Sequence, residues 1–146
     1  MINVLSELFE RDLRKLAEEI KLYQGESDMW EIRPGIANSA GNLCLHLIGN
    51  LQYFIGAVLG NSGYIRQREL EFSQKNIPKN QLLVEIENTI SRVKKTLNDC
   101  QEADLEQTYP LEREGRTVTT GYMLAHLLSH LNYHLGQVNY HRRLIQ

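Results

Sequence analysis

Apolar residues recur along this chain at three- and four-residue steps, the spacing of amphipathic helices, in four separate stretches. In the first, Leu5, Leu8, Phe9, Leu13, Leu16 and Ile20 alternate with charged residues, which predicts a helix from about Asn3 to Tyr23, ended by Gly25. A second helix should open at Asn38 or Ser39, either of which can cap it, and run to about Leu59. Pro78 is a favoured first-turn residue, and after it Leu82, Leu83, Ile86, Ile90, Val93 and Leu97 mark a third helix. The fourth should begin at Thr119 or Thr120 and continue to about Leu144. Between the third and fourth, Glu114-Gly115 sits in a polar stretch, 109–118, and predicts a tight turn or short hairpin. The longest connection, 60–77, lies between the second and third helices and is long enough to cross a bundle end and cover something. The expectation is an all-α fold, an antiparallel four-helix bundle with a long loop between helices 2 and 3, formed by residues 1–146 as one domain.

Charge sharpens this picture by its absence. From Gly35 to Ile65, and again from Thr117 to His141, there is no Asp, Glu, Lys or Arg. The second and fourth helices therefore lack the wet face that a lone bundle leaves each helix. Burial against a second copy in a homodimer, through helices 2 and 4, is the economical explanation. A net charge of −2 gives no electrostatic footprint for nucleic acid or anionic lipid. The most apolar stretch, 43–59, is broken by His46, Asn50 and Gln52, so no membrane span is expected. The N-terminus lacks the pattern of a signal peptide, and Cys44 and Cys100 form no paired motif. A cytoplasmic protein with reduced thiols fits these features.

All five histidines fall on the two uncharged helices, four of them within 125–142. On a helix His126, His130, His134 and His141 share an arc of about 80°, beside the apolar arc of Leu124, Leu127, Leu131, Leu135 and Val138. Histidines four apart put their ring nitrogens over one patch, so both can reach one ion at roughly 2.0–2.1 Å. The pattern occurs twice, as His126/His130 and His130/His134. A site needs a ligand from another helix, and His46 is the one histidine left. Asn42, Asn50 and Gln137 lie on the same stripes and could orient imidazoles. His141 stands beside Arg142 and Arg143 and reads as a surface residue; His126 stays open as ligand, outer partner or core. Cys44 points away from His46 on its helix. Tyr53, Phe54, Tyr133 and Tyr140 read as core or interface packing. Three neutral nitrogens suit zinc, nickel, copper or iron, and leave coordination open for water or substrate.

At these residues the sequence resembles the DinB-like superfamily of bacterial four-helix bundles, in a branch known only as a domain of unknown function. The resemblance rests on Met29-Trp-Glu-Ile-Arg-Pro-Gly-Ile-Ala-Asn-Ser-Ala40, Cys44-Leu-His-Leu-Ile-Gly-Asn50 and Gly63-Tyr-Ile-Arg-Gln-Arg-Glu-Leu-Glu-Phe72. Thr117-Val118 and His130-Leu-Asn-Tyr-His134-Leu-Gly-Gln137 complete it. It implies a divalent metal, zinc or nickel, on His46, His130 and His134, and a homodimer. Some such relatives are metal-dependent thiol transferases, isomerases or hydrolases on thiol conjugates. A small-molecule substrate with an anionic part would look to Arg66 or Arg68 in the covering loop, the nearest cations to helix 2. The alternative is a non-catalytic metal-binding stress-response module, and a third reading is a structural dimer with empty histidines.

Overall fold

The computed structural model describes residues 1–146 and is all-α. Its helices are α1 (Ile2–Leu22), α2 (Ala40–Leu51), α3 (Arg68–Ser73), α4 (Lys79–Asp99) and α5 (Thr120–Ile145). The four long stretches read from the sequence are α1, α2, α4 and α5. Short 3-10 turns at Glu26–Trp30 and Glu102–Glu106 join them, and neither was visible in the apolar periodicity. No strand forms; two isolated bridges, Thr108 with Thr119 and Arg113 with Arg116, are the extended pairings.

The caps decide where the site-bearing helices start. Ser39, and not Asn38, caps α2: its hydroxyl accepts the Asn42 amide at 3.2 Å and donates to Asn42 Oδ1 at 2.7 Å. Thr119 caps α5 by accepting the Tyr122 amide at 3.1 Å. Beyond Leu51 the second predicted helix does not continue as an α-helix. Gln52–Ala57 is π-helical, with Val58 N–H donating to Tyr53 O at 2.9 Å and Gly60 N–H to Ile55 O at 3.0 Å. Within this widened turn the Phe54 carbonyl accepts the Tyr109 hydroxyl at 2.7 Å, which ties the end of α2 to the segment before α5.

The core explains half of the charge-free pattern and leaves half open. Phe9, Leu13, Leu16 and Ile20 of α1, Leu47, Leu51 and Ile55 around α2, Leu82, Ile86 and Val93 of α4, and Leu131 and Val138 of α5 are all fully buried. Every α2 residue is buried except half-buried Leu45, because α3, α4, α5 and the Glu26–Trp30 turn all pack on it. Its missing charges are therefore accounted for within one chain. Helix α5 differs. Tyr122, Tyr133, Tyr140 and Leu144 are exposed, with exposed Ala125, Ser129 and Gly136 between them. Tyr133 and Tyr140 are thus not core residues; their rings extend from the outer face, with Arg143 stacked over Tyr140 at 5.3 Å.

The connection 60–77 contains a helix that its polar composition concealed. Arg68–Ser73 forms α3, held against α2 by Asn42, whose Nδ2 donates to the carbonyls of Glu71 (3.0 Å) and Gln74 (2.8 Å). The predicted turn before α5 is a two-residue hairpin. Arg113 and Arg116 exchange both backbone bonds (2.8 and 2.9 Å), and Glu114 (φ 51°) and Gly115 (φ 72°) take the left-handed conformations it requires.

Candidate metal centre

The fold brings His46 of α2 against His130 and His134 of α5, with one ligating nitrogen of each within 4.8 Å of the others. The Nε2 atoms of His46 and His134 each lie 3.1 Å from Nε2 of His130. Two nitrogens bound to one ion at about 2.0–2.1 Å, at angles between octahedral and tetrahedral, stand about 2.9–3.4 Å apart.

Outer partners set which nitrogen of each ring has the lone pair. His46 Nδ1 is 2.9 Å from Glu71 Oε1, and a carboxylate only accepts, so Nδ1 donates and Nε2 is left with its lone pair. His134 Nδ1 donates to Gln137 Oε1 at 2.7 Å with the same result. Two lone pairs thus point at Nε2 of His130 from different helices, a convergence that a cation relieves. Burial, followed by neighbouring His134, His46, His126 and Arg66, pushes the His130 imidazole down to about 4. Burial also lowers His134, against the raising effect of Gln137. Neutral imidazoles are the form that binds a metal. The donor set therefore fits a divalent transition ion.

Glu71 is the member that sequence reading missed. It is buried, rides on α3, and accepts two bonds from Arg66, from Nε and Nη2, each at 2.9 Å. Burial alone would raise its carboxyl, but the hydrogen bonds from His46 and Arg66 hold it below the usual carboxylate range. Arg66 is consequently committed to Glu71 and also stacks over Phe54, 5.6 Å from the ring centroid. The expectation that Arg66 waits for a ligand gives way to a carboxylate–histidine pair clamped by arginine. Phe72 of α3 packs on the His46 ring, 4.8 Å between centroids. The covering role expected of loop 60–77 is visible in these contacts.

The other candidates separate cleanly. His126 stays outside the cluster, its ring centroid 6.4 Å from that of His130. His141 is not a surface residue: only 3% exposed, it accepts the Tyr23 hydroxyl at Nδ1 (2.7 Å) and donates from Nε2 to the Glu31 carbonyl (2.8 Å). Its flanking arginines pointed outward while its own position on the α5 arc pointed to the core, and the arc decided. With both nitrogens engaged, it has none for a metal. Cys44 lies in the core with its thiol pushed up to about 12 by burial. Of the three proposed orienting amides, Gln137 holds His134 directly, whereas Asn42 acts through the backbone that carries Glu71.

A cavity of about 440 Å³ lies against His46 and His130, walled also by Phe54, Arg68, His126 and the 109–114 side of the hairpin. In its walls Asn50 Oδ1, Arg113 Nε and His130 Nδ1 are buried without a partner. Each such atom costs about 1–3 kcal/mol in a dry protein.

No helix is long and apolar enough to cross a membrane. No curated protein sequence matches the chain significantly. A crystal structure of a conserved protein from Enterococcus faecalis is similar in fold, with a TM-score of 0.79 at 18% identity over 99% of this chain and 96% of that one. Over residues 2–146 the sequence matches the model of DUF1572, described as a protein of unknown function, and the chain belongs to that family.

Proposed function

We propose that this protein binds one divalent transition metal, zinc or nickel, through His46, His130 and His134, and uses it on a small thiol or thiol conjugate as a transferase or hydrolase. The observation that carries this is that the Nε2 atoms of His46 and His134, whose tautomers Glu71 and Gln137 dictate, each stand 3.1 Å from Nε2 of His130. Such an ion, with three neutral protein ligands, lowers the pKa of a bound thiol or water so that it becomes a nucleophile near neutral pH. This chain's residues aim the imidazoles, and Phe72 and the α3 segment cover His46. The neighbouring cavity favours chemistry over storage, since a closed structural site has no need of a 440 Å³ space beside two of its ligands. A non-catalytic metal-binding module is the second reading, favoured if no thiol reaches the ion.

The same reading places the four longer helices in an antiparallel DinB-like bundle and the protein in the cytoplasm. It also pairs two copies through the outer face of α5, where Tyr122, Tyr133, Tyr140 and Leu144 stand exposed and Arg116 and Arg143 lie over the Tyr122 and Tyr140 rings. Sedimentation at micromolar concentration should then report a dimer that Tyr133→Glu dissociates; a wild-type monomer would refute the pairing. Metal analysis of untagged protein tests the centre itself. About one ion per chain is expected, and loss of that ion in His46→Ala or His130→Ala. Equal metal content in the wild type and the His46/His130/His134 triple alanine variant would sink the proposal.

A further inference from the structure

The unpartnered polar atoms of this chain are not scattered. Of the four buried side-chain nitrogens and oxygens without a partner, three belong to walls of the cavity against His46 and His130: Asn50 Oδ1, Arg113 Nε and His130 Nδ1. Buried polar groups are nearly always paired, so three in one cavity beside a candidate metal centre mark a place where pairing comes from outside the chain.

Their chemistry narrows the visitor. Arg113 Nε donates and is cationic, whereas Asn50 Oδ1 accepts only. With its Nε2 turned toward an ion, His130 donates from Nδ1. The other cations are differently placed: Arg66 is held on both sides by Glu71, and Arg68 stacks over Phe72 at 5.2 Å. Arg113 has one partner, Glu114 Oε1 at 2.8 Å from Nη1, but that carboxylate is 76% exposed and can swing into solvent. Once Glu114 swings away, a ligand carboxylate can take over its role and pair with the uncovered Nε as well, since the guanidinium fork matches a planar carboxylate. Glu112 and Glu114 in the same wall oppose a second negative charge, which disfavours a phosphate dianion.

Resting on the metal centre proposed above, we propose that this cavity is its substrate subsite and accepts a small monocarboxylate. Arg113 holds the carboxylate, and Asn50 Oδ1 accepts from a hydroxyl or amino group of the same molecule. The hairpin predicted from Glu114-Gly115 thereby acquires a purpose. It delivers a cation to a cavity whose two helices, α2 and α5, have none over the stretch that lines it.

The test uses cobalt-loaded full-length protein and follows the thiolate-to-cobalt absorption band. Mercaptoalkanoates from mercaptoacetate to 6-mercaptohexanoate are titrated beside mercaptoalcohols of equal length. At one length or more the carboxylate should bind at least about tenfold tighter. Arg113→Gln should reduce that preference to about twofold or less while mercaptoalcohol affinity is unchanged. Glu114→Gln, an exposed change that the fold tolerates, should raise carboxylate affinity by releasing Arg113. Equal affinities at every length, or a preference that survives Arg113→Gln, overturn the subsite and leave the metal centre standing. Failure of the protein to take up cobalt removes both together.

Discussion

Gly49→Ala separates what the Glu71–His46 pair does for the metal from what it does for the fold. A methyl group on residue 49 would collide with Glu71 Oε2 and stand 2.6 Å from its Cδ, where ordinary contact begins near 3.4 Å. Clearing Cδ alone takes a retreat of about 0.8 Å and the nearer Oε2 must move further, yet Arg66 grips the carboxylate at two 2.9 Å bonds and His46 at a third. A displacement of that size is enough to take a 2.9 Å bond beyond hydrogen-bond range. Two opposing effects then act on stability. Alanine inside α2 gains about 1 kcal/mol over glycine in helix propensity, while loosening charge-assisted bonds costs roughly 1.5–3 kcal/mol. Net destabilisation should stay within about 2 kcal/mol, so the protein folds. Metal affinity should respond more sharply, because His46 loses the partner that sets its tautomer: about 10- to 100-fold weaker binding. Competition against a chromophoric chelator measures that affinity, and thermal unfolding of the metal-free protein measures the fold. Unchanged metal affinity with a displaced Glu71 would refute the orienting role; equal losses in both assays would show that Glu71 is structural.

His141→Ala should keep full metal content but cost about 2–4 kcal/mol, since it empties a buried site and strips Tyr23 and Glu31 of partners; thermal unfolding checks it. The metal-free protein should lose stability as pH falls through the window from about 6.5 to about 4. There the unfolded chain protonates His130 while the folded one resists, so the unfolded state binds more protons and stability rises with pH. Urea unfolding across that window should show a slope that flattens in His130→Ala, and an unchanged slope would count against the buried neutral imidazole.

The long helices were legible because their apolar spacing and caps are local signals: Ser39, Pro78 and Thr119 all stand at helix starts. The π-helical turn at Gln52–Ala57 was not legible, since its extra residue per turn leaves the apolar pattern of 51–59 intact. Helix α3 was hidden for another reason. Six residues with three charges show no periodicity, and the segment is held by tertiary bonds from Asn42 and by the Glu71–Arg66–His46 cluster. The three histidines were readable from helical spacing plus the scarcity of any other partner for the α5 pair. Glu71 was unreadable by the same logic, because a glutamate in a polar stretch of mixed charge looks like every other surface glutamate until α3 turns it inward.

The two charge-free stretches looked alike in the sequence, yet they answer to different neighbours. Around α2 the chain supplies its own cover, and that cover does more than exclude water. The α3 segment that hides the helix also brings Glu71 to His46, so the absence of charge on α2 is the counterpart of a buried carboxylate arriving from elsewhere. An Asp or Lys on that face would compete directly for Glu71 or Arg66 and displace the pair. Around α5 only the inner arc has such cover. Its outer arc is largely open, with Tyr133 66% exposed and Tyr140 64% exposed, although the Arg143 and Arg116 guanidiniums lie over the rings of Tyr140 and Tyr122. Gly136, where an added Cβ would meet nothing, keeps that arc flat between the two tyrosines. His134 precedes Gly136 by two residues, and its Gln137 partner is exposed on the same side. A second copy seated on this face would therefore bury the hydrogen bond that aims His134, so the tautomer at one end of the metal centre would be shielded from water by assembly. Metal affinity should then fall on dilution below the dimer dissociation constant, in step with the sedimentation boundary; an affinity independent of protein concentration would uncouple the two.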